Sequence, residues 1–147
     1  MNEKIVSLLI GQHNQLKEIL IGAKGQTESP KPNFELIIEQ HELFKKKLGE
    51  HLALENGVFY PAILAGMREK RALEEKIVST KKFIKEMKAI EVVVAAFFNT
   101  YNSAGALQEK WRDYPKNLNA IIATLLLRIE SEEDGIYLEW DFWGKKE

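Results

Sequence analysis

Two stretches of this chain carry a nitrogen-bearing side chain four residues ahead of a glutamate: His51 before Glu55 in HLALENGVFY, and Arg128 before Glu132 in RIESEEDGIY. On a helix such residues lie one above the other on a single face, so each pair aims both groups at one point. Imidazole and carboxylate placed this way on facing helices are the means by which a bundle grips a metal ion in its core. The second copy departs from that chemistry in one respect. It has Arg where the first has His, and a protonated guanidinium offers no lone pair to a metal.

The helices that must hold these groups are legible in the hydrophobic period. Apolar residues recur at alternating steps of three and four, which excludes strands and predicts four helical segments over about 3–21, 34–59, 67–98 and 116–137. The first segment reads Val6, Leu9, His13, Leu16, Leu20, and the second Ile37, His41, Phe44, Leu48, His51, Glu55. The third reads Leu73, Lys76, Thr80, Phe83, Met87, Ile90, Val94, Phe97, and the last Leu118, Ile121, Leu125, Arg128, Glu132. Between them lie a polar Gly and Pro stretch (22–33), a tight connection starting at Tyr60-Pro61 and ending at Gly66, and a longer loop (99–116) whose Pro115 can start a helix. The fold expected is all-α, an up-down-up-down four-helix bundle.

Composition sets the outer limits. The 147 residues, 45% of them hydrophobic, suit a single domain over 1–147 with one core. Lys and Arg number 21 against 22 Asp and Glu, a balance that gives no reason to expect nucleic acid or a membrane surface as partner. Cysteine is absent, which removes thiolate ligands, disulfides and cysteine nucleophiles together. Apolar runs such as 92–98 are far too short to span a bilayer, and the first residues show no secretory pattern, so the expected compartment is cytoplasmic. No Gly-rich phosphate loop or nucleophile motif occurs, and no enzyme activity is expected.

Heights along the seams bring the polar groups together. With the helical rise of about 1.5 Å per residue, a turn centred between 60 and 66 puts His51 and Lys76 at one level, about 19 Å above it. His13, Arg128 and Glu132 fall toward the same end. One core layer is thus expected to collect His13, His51, Glu55, Lys76, Arg128 and Glu132. Buried polar groups are costly unless satisfied, so packing alone does not assemble such a layer.

This layer resembles that of the hemerythrin-like (HHE cation-binding) family, di-iron four-helix bundles that bind oxygen or sense iron, oxygen or nitric oxide. His13 in GQHNQL matches the family's first-helix histidine, and HLALENGVFYP matches its second-helix motif through Phe59, Tyr60 and Pro61. The last helix keeps Ile129, Glu132, Glu133, Ile136 and Tyr137 of the motif but has Arg128 in the ligand position. LEEK (73–76) is similar to the third-helix stretch, with Lys76 where the family has His, and Asn56 replaces a glutamate. The resemblance leaves His13, His51, Glu55 and Glu132 as metal ligands.

The expectation is a partly lost di-iron site in which Lys76 and Arg128 stand in for the two ions. Their charges would neutralise Glu55 and Glu132, leaving a metal-free, non-catalytic binding or regulatory module. The alternative is a functional site that binds one or two iron ions through the four remaining ligands and acts in oxygen, iron or nitric oxide handling. His41 lies about 15 Å along its helix from His51 and is expected to be a partly exposed structural histidine. Trp140, Phe142 and Trp143 should fold back with Tyr137 to cap the site, or else form a surface for a second copy or a protein partner.

Overall fold

The computed structural model describes residues 4–144, and every regular element among them is helical. The elements are α1 (Ile5–Thr27), α2 (Phe34–Leu54), a wide π-type turn (Glu55–Phe59), α3 (Tyr60–Glu69), α4 (Glu74–Thr100), α5 (Ala104–Glu109) and α6 (Tyr114–Glu133). A 3-10 turn (Ile136–Glu139) and a second π-type turn (Trp140–Gly144) follow. Helix α1 packs against α2 and α6, and α4 packs against α3 and α6, which closes the expected up-down-up-down bundle. Among the described residues no helix is long and apolar enough to cross a membrane.

Three expected boundaries move. Helix α1 continues past Gly22 and Gly25 to Thr27 instead of ending at 21. A Cβ on Gly22 would lie 2.5 Å from Nε2 of Gln40 on α2, so the end of that side chain packs where a larger residue would displace it. Asn33 then caps α2, its side chain accepting from the Leu36 N–H at 3.0 Å.

The second correction matters most. The connection expected at 60–66 is helix, because the turn after α2 widens instead of breaking, and the Tyr60 N–H donates to the Glu55 carbonyl five residues back. Pro61 then stands in the first turn of α3, where its missing N–H is not needed. The chain reverses only at 70–73, where Arg71 takes a left-handed φ of 58° and the Ala72 N–H returns to the Met67 carbonyl at 2.8 Å. The last correction is smaller: α5 occupies part of the expected 99–116 loop, capped by the Ser103 side chain.

Two apolar cores fill the bundle. One gathers Leu16, Leu20, Phe44, Val94, Phe98, Leu118 and Leu125, and the other Leu9, Phe59, Ile63, Met67, Ile77, Ile84 and Trp140. Between them α1, α2 and α6 each switch from apolar to polar at the same height. His13 lies between Leu9 and Leu16, His51 between Phe44 and Phe59, and Arg128 between Leu125 and Ile136. The site is that intervening layer.

Candidate metal centre

His13, His51, Glu55, Arg128 and Glu132 are all buried in this layer. One donor atom from each of His13, His51, Glu55 and Glu132 lies within 4.8 Å of the others. The four side chains singled out from spacing therefore converge. The π-type turn begins at Glu55 and rotates the residues after it relative to a regular helix.

Each histidine is held from behind. His51 Nδ1 is 2.7 Å from Oε1 of Gln12, and His13 Nδ1 is 2.7 Å from Oε2 of Glu133. Both partners are oxygens that only accept, so each Nδ1 donates. In the neutral ring that leaves a lone pair on Nε2, directed at the carboxylates: His13 Nε2 is 3.3 Å from Glu132 Oε1 and His51 Nε2 is 3.5 Å from Glu55 Oε2. An outer partner fixing the tautomer and angle of a ring is the arrangement that metal-binding histidines use.

The carboxylates are partly committed. The Tyr137 hydroxyl donates to Glu55 Oε2 at 2.5 Å, and the Tyr60 hydroxyl to Glu132 Oε2 at 2.6 Å. Arg128 Nη2 donates to Glu55 Oε1 at 2.7 Å, while its Nε lies 3.5 Å from Glu132 Oε1. Among the four candidate ligand side chains two buried atoms have no hydrogen-bond partner, His51 Nε2 and Glu132 Oε1, and Glu91 Oε2 and Asn56 Oδ1 beside them lack one as well. With the His51 ring neutral both ligand atoms present lone pairs, which a cation or a donor would complete.

Charge follows the same logic. Burial raises the Glu55 carboxyl, but contact with His51 and Glu132 and the charge of Arg128 outweigh it and bring it well below the usual carboxylate range. Glu132 moves the other way, raised first by burial and then by the Glu55 carboxylate, against the pull of His13 and Arg128. Burial works against the Arg128 charge, yet Glu132 and Glu55 raise its pKa further. Both phenols are raised as well, by burial and by the two glutamates. Counted formally with neutral histidines, two buried carboxylates face one buried guanidinium.

Lys76 does not belong to this layer. It is half-exposed and pairs with Glu139 at the surface, while Ile77, Thr80 and Ile84 form the buried stripe of α4. The cause is the displaced turn. Reflection about Arg71, instead of about 60–66, brings Glu91 level with His51 and Met87 level with Glu55. These are the α4 groups that Arg128 reaches, with Nη1 3.0 Å from the Met87 carbonyl and 3.7 Å from Glu91 Oε2. Glu91 also accepts from Asn56 Nδ2 at 3.4 Å. The four-residue spacing of Met87 and Glu91 was a visible signal, but no polar pair marked it.

His41 lies outside the site, as expected, but it is buried instead of partly exposed. Its Nδ1 contacts the Tyr101 carbonyl at 3.1 Å and its Nε2 the Tyr114 hydroxyl at 2.7 Å. Below the site, Trp140 stacks on Phe59 with ring centroids 5.2 Å apart, and Tyr137 packs edge-on to the same ring. The aromatic tail thus folds back as a cap. Trp140 is buried, Trp143 is half-buried, and Phe142 is exposed.

The donor set could hold a divalent ion. Donors bound at about 2.0–2.2 Å stand about 3–4.4 Å apart depending on geometry, so four atoms within 4.8 Å of one another reach one ion after modest side-chain shifts. Two imidazoles with carboxylates suit Fe(II), Mn(II) or Zn(II). A mainly apolar cleft between α1, α2 and α6, lined by Leu16, Leu20, Phe44, Leu48, Leu125 and Ile129, reaches His13, His51 and Glu132 of the layer.

Compared with family models, the chain matches the hemerythrin HHE cation-binding domain over residues 4–139. No curated protein and no solved structure gives a match.

Proposed function

The chain belongs to the hemerythrin HHE cation-binding domain family, and from that premise we propose that it is a non-enzymatic module binding one divalent cation, iron by preference, through His13, His51, Glu55 and Glu132. The observation that carries this reading is the pair of unpartnered lone pairs, His51 Nε2 and Glu132 Oε1, inside a layer where two carboxylates face one guanidinium. Each is an incomplete hydrogen-bond acceptor as it stands and a competent ligand. The outer contacts of Gln12 and Glu133 hold both rings in the orientation ligation needs. The ion would supply the charge that Arg128 alone does not. Tyr60 satisfies Glu132 Oε2, and Tyr137 donates to Glu55 Oε2, the oxygen that also faces His51.

A second reading rests on Arg128, whose guanidinium contacts both glutamates. In it the layer is a closed ion network, and the bundle is a metal-free regulatory module. One experiment separates the two. The protein is purified without tags or chelators, incubated with ferrous iron without air, desalted, and its metal content measured beside His51→Ala. About one iron per chain, lost in the variant, supports the cation-binding reading. A content near zero, with melting unchanged by metal, replaces it with the ion network.

A further inference from the structure

Beside the four-ligand cluster lies a second position built for positive charge, and the chain fills it itself. The Arg128 guanidinium is surrounded by oxygen: Glu55 Oε1 at 2.7 Å, the Met87 carbonyl at 3.0 Å, Glu132 Oε1 at 3.5 Å and Glu91 Oε2 at 3.7 Å. These oxygens come from three sides of the bundle: the wide turn after α2, α4 and α6. Two of them, Glu132 Oε1 and Glu91 Oε2, make no hydrogen bond although Arg128 stands 3.5 and 3.7 Å from them. Acceptor oxygens this far from a guanidinium nitrogen are held by charge alone. A fork-shaped side chain is therefore occupying a cage of carboxylates it only partly satisfies.

We propose that Arg128 sets the number of ions the centre takes. Its guanidinium occupies the place of a second cation, limits the layer to one ion, and keeps Glu55 and Glu132 from bridging two. Resting on the single-cation reading above, the inference adds a specificity determinant to it. The geometry is direct. Glu55 presents Oε2 toward His51 and Oε1 toward Arg128, and Glu132 Oε1 stands between His13 Nε2 and Arg128 Nε. Each glutamate faces both positions. Exchange of Arg128 for a shorter ligand-bearing side chain empties the cage while leaving Glu55, Glu91 and Glu132 around it, and a divalent ion restores more positive charge than the guanidinium took away.

The test uses the full chain, stripped of metal, with Mn(II) as the probe because its paramagnetism reports both number and proximity. Wild type, Arg128→His and Arg128→Lys are titrated by equilibrium dialysis, and the loaded proteins are recorded by electron paramagnetic resonance. The expected result is one more Mn(II) per chain in Arg128→His than in wild type, exchange-coupled to its neighbour as ions about 3.5–4 Å apart are. Arg128→Lys, which keeps a fixed cation, binds as many as wild type. Equal stoichiometry in wild type and Arg128→His, or an additional ion that is magnetically isolated, overturns the proposal. If Arg128→His is unfolded without metal, Mn(II) is titrated against its helical circular dichroism. Recovery with a coupled pair supports the proposal, and no recovery overturns it. Wild-type stoichiometry is read separately: a value of zero removes the single-cation reading, whereas the increment from wild type to Arg128→His still decides the role of Arg128.

Discussion

Replacing Arg128 with Met removes the one buried cation of the layer while keeping most of the side-chain volume. In metal-free protein it leaves Glu55, fully buried, with the Tyr137 hydroxyl as its close donor in place of a guanidinium 2.7 Å away. Removing one partner of a buried ion pair costs about 3–5 kcal/mol, because the remaining charge has neither water nor a counter-ion. For a chain of this size that corresponds to a melting temperature lower by roughly 10–20 °C. The pH dependence gives a sharper test. In wild type the Glu55 pKa is lowered on folding, so its contribution is complete above the ordinary carboxylate range and is lost as pH falls through that range and below it. Without Arg128 the Glu55 pKa loses one of its lowering influences and moves up, while the His51 and Glu132 contacts still hold it down. The contribution of Glu55 in the variant is therefore smaller than in wild type and is lost at a higher pH, so the deficit is full near neutrality and narrows only as the carboxyl is protonated in acid. Urea unfolding of both proteins with a chelator present, from about pH 7 to about pH 3, should show the deficit narrowing at the acid end. A deficit under about 1 kcal/mol near neutrality, or one constant across that range, refutes the assignment of Arg128 as counter-ion to a buried Glu55 carboxylate.

Three further outcomes follow from other contacts. In Gly66→Ala the new Cβ would lie 1.6 Å from the Trp143 carbonyl oxygen, so the 140–144 turn must retreat; a loss of about 1–3 kcal/mol with red-shifted tryptophan fluorescence is expected, and unchanged fluorescence would show that the tail does not seat on α3. Tyr137→Phe removes the hydroxyl that donates to Glu55 at 2.5 Å, and should cost about 1.5–3 kcal/mol in denaturant unfolding because the acceptor is charged. Burial lowers the His41 pKa, against the Tyr101 carbonyl contact, so the unfolded chain binds the proton more readily and stability falls as pH drops below about 6.5. The slope is at most about 1.4 kcal/mol per pH unit, and its disappearance in His41→Gln, whatever the variant's overall stability, is the readout.

Much of the centre was legible before any coordinates. The three-and-four period places His13, His51, Glu55, Arg128 and Glu132 on inward faces, because the angle of a side chain around a helix depends only on its position in the helix. Five residues of one layer follow from that rule. Height is different. The level of α4 against α2 depends on where the chain turns, and the proline after Tyr60 suggests a turn that the fold does not make. Widening the backbone at Glu55–Phe59 lets the helix absorb Pro61 and moves the reversal to Arg71. That shift sends Lys76 to the surface and brings Glu91 and the Met87 carbonyl to Arg128.

The amino-acid sequence by itself therefore determined the fold class, the inward faces and the chemical character of the polar layer, since all three rest on local period and residue type. Only the tertiary structure decided which groups meet: that Tyr60 and Tyr137 each hold a glutamate, that Gln12 and Glu133 orient the rings, and that Arg128 sits in an oxygen cage. Those contacts join residues up to 120 positions apart in the chain. Their distances are set by the packing of both apolar cores around the layer, which no local pattern encodes.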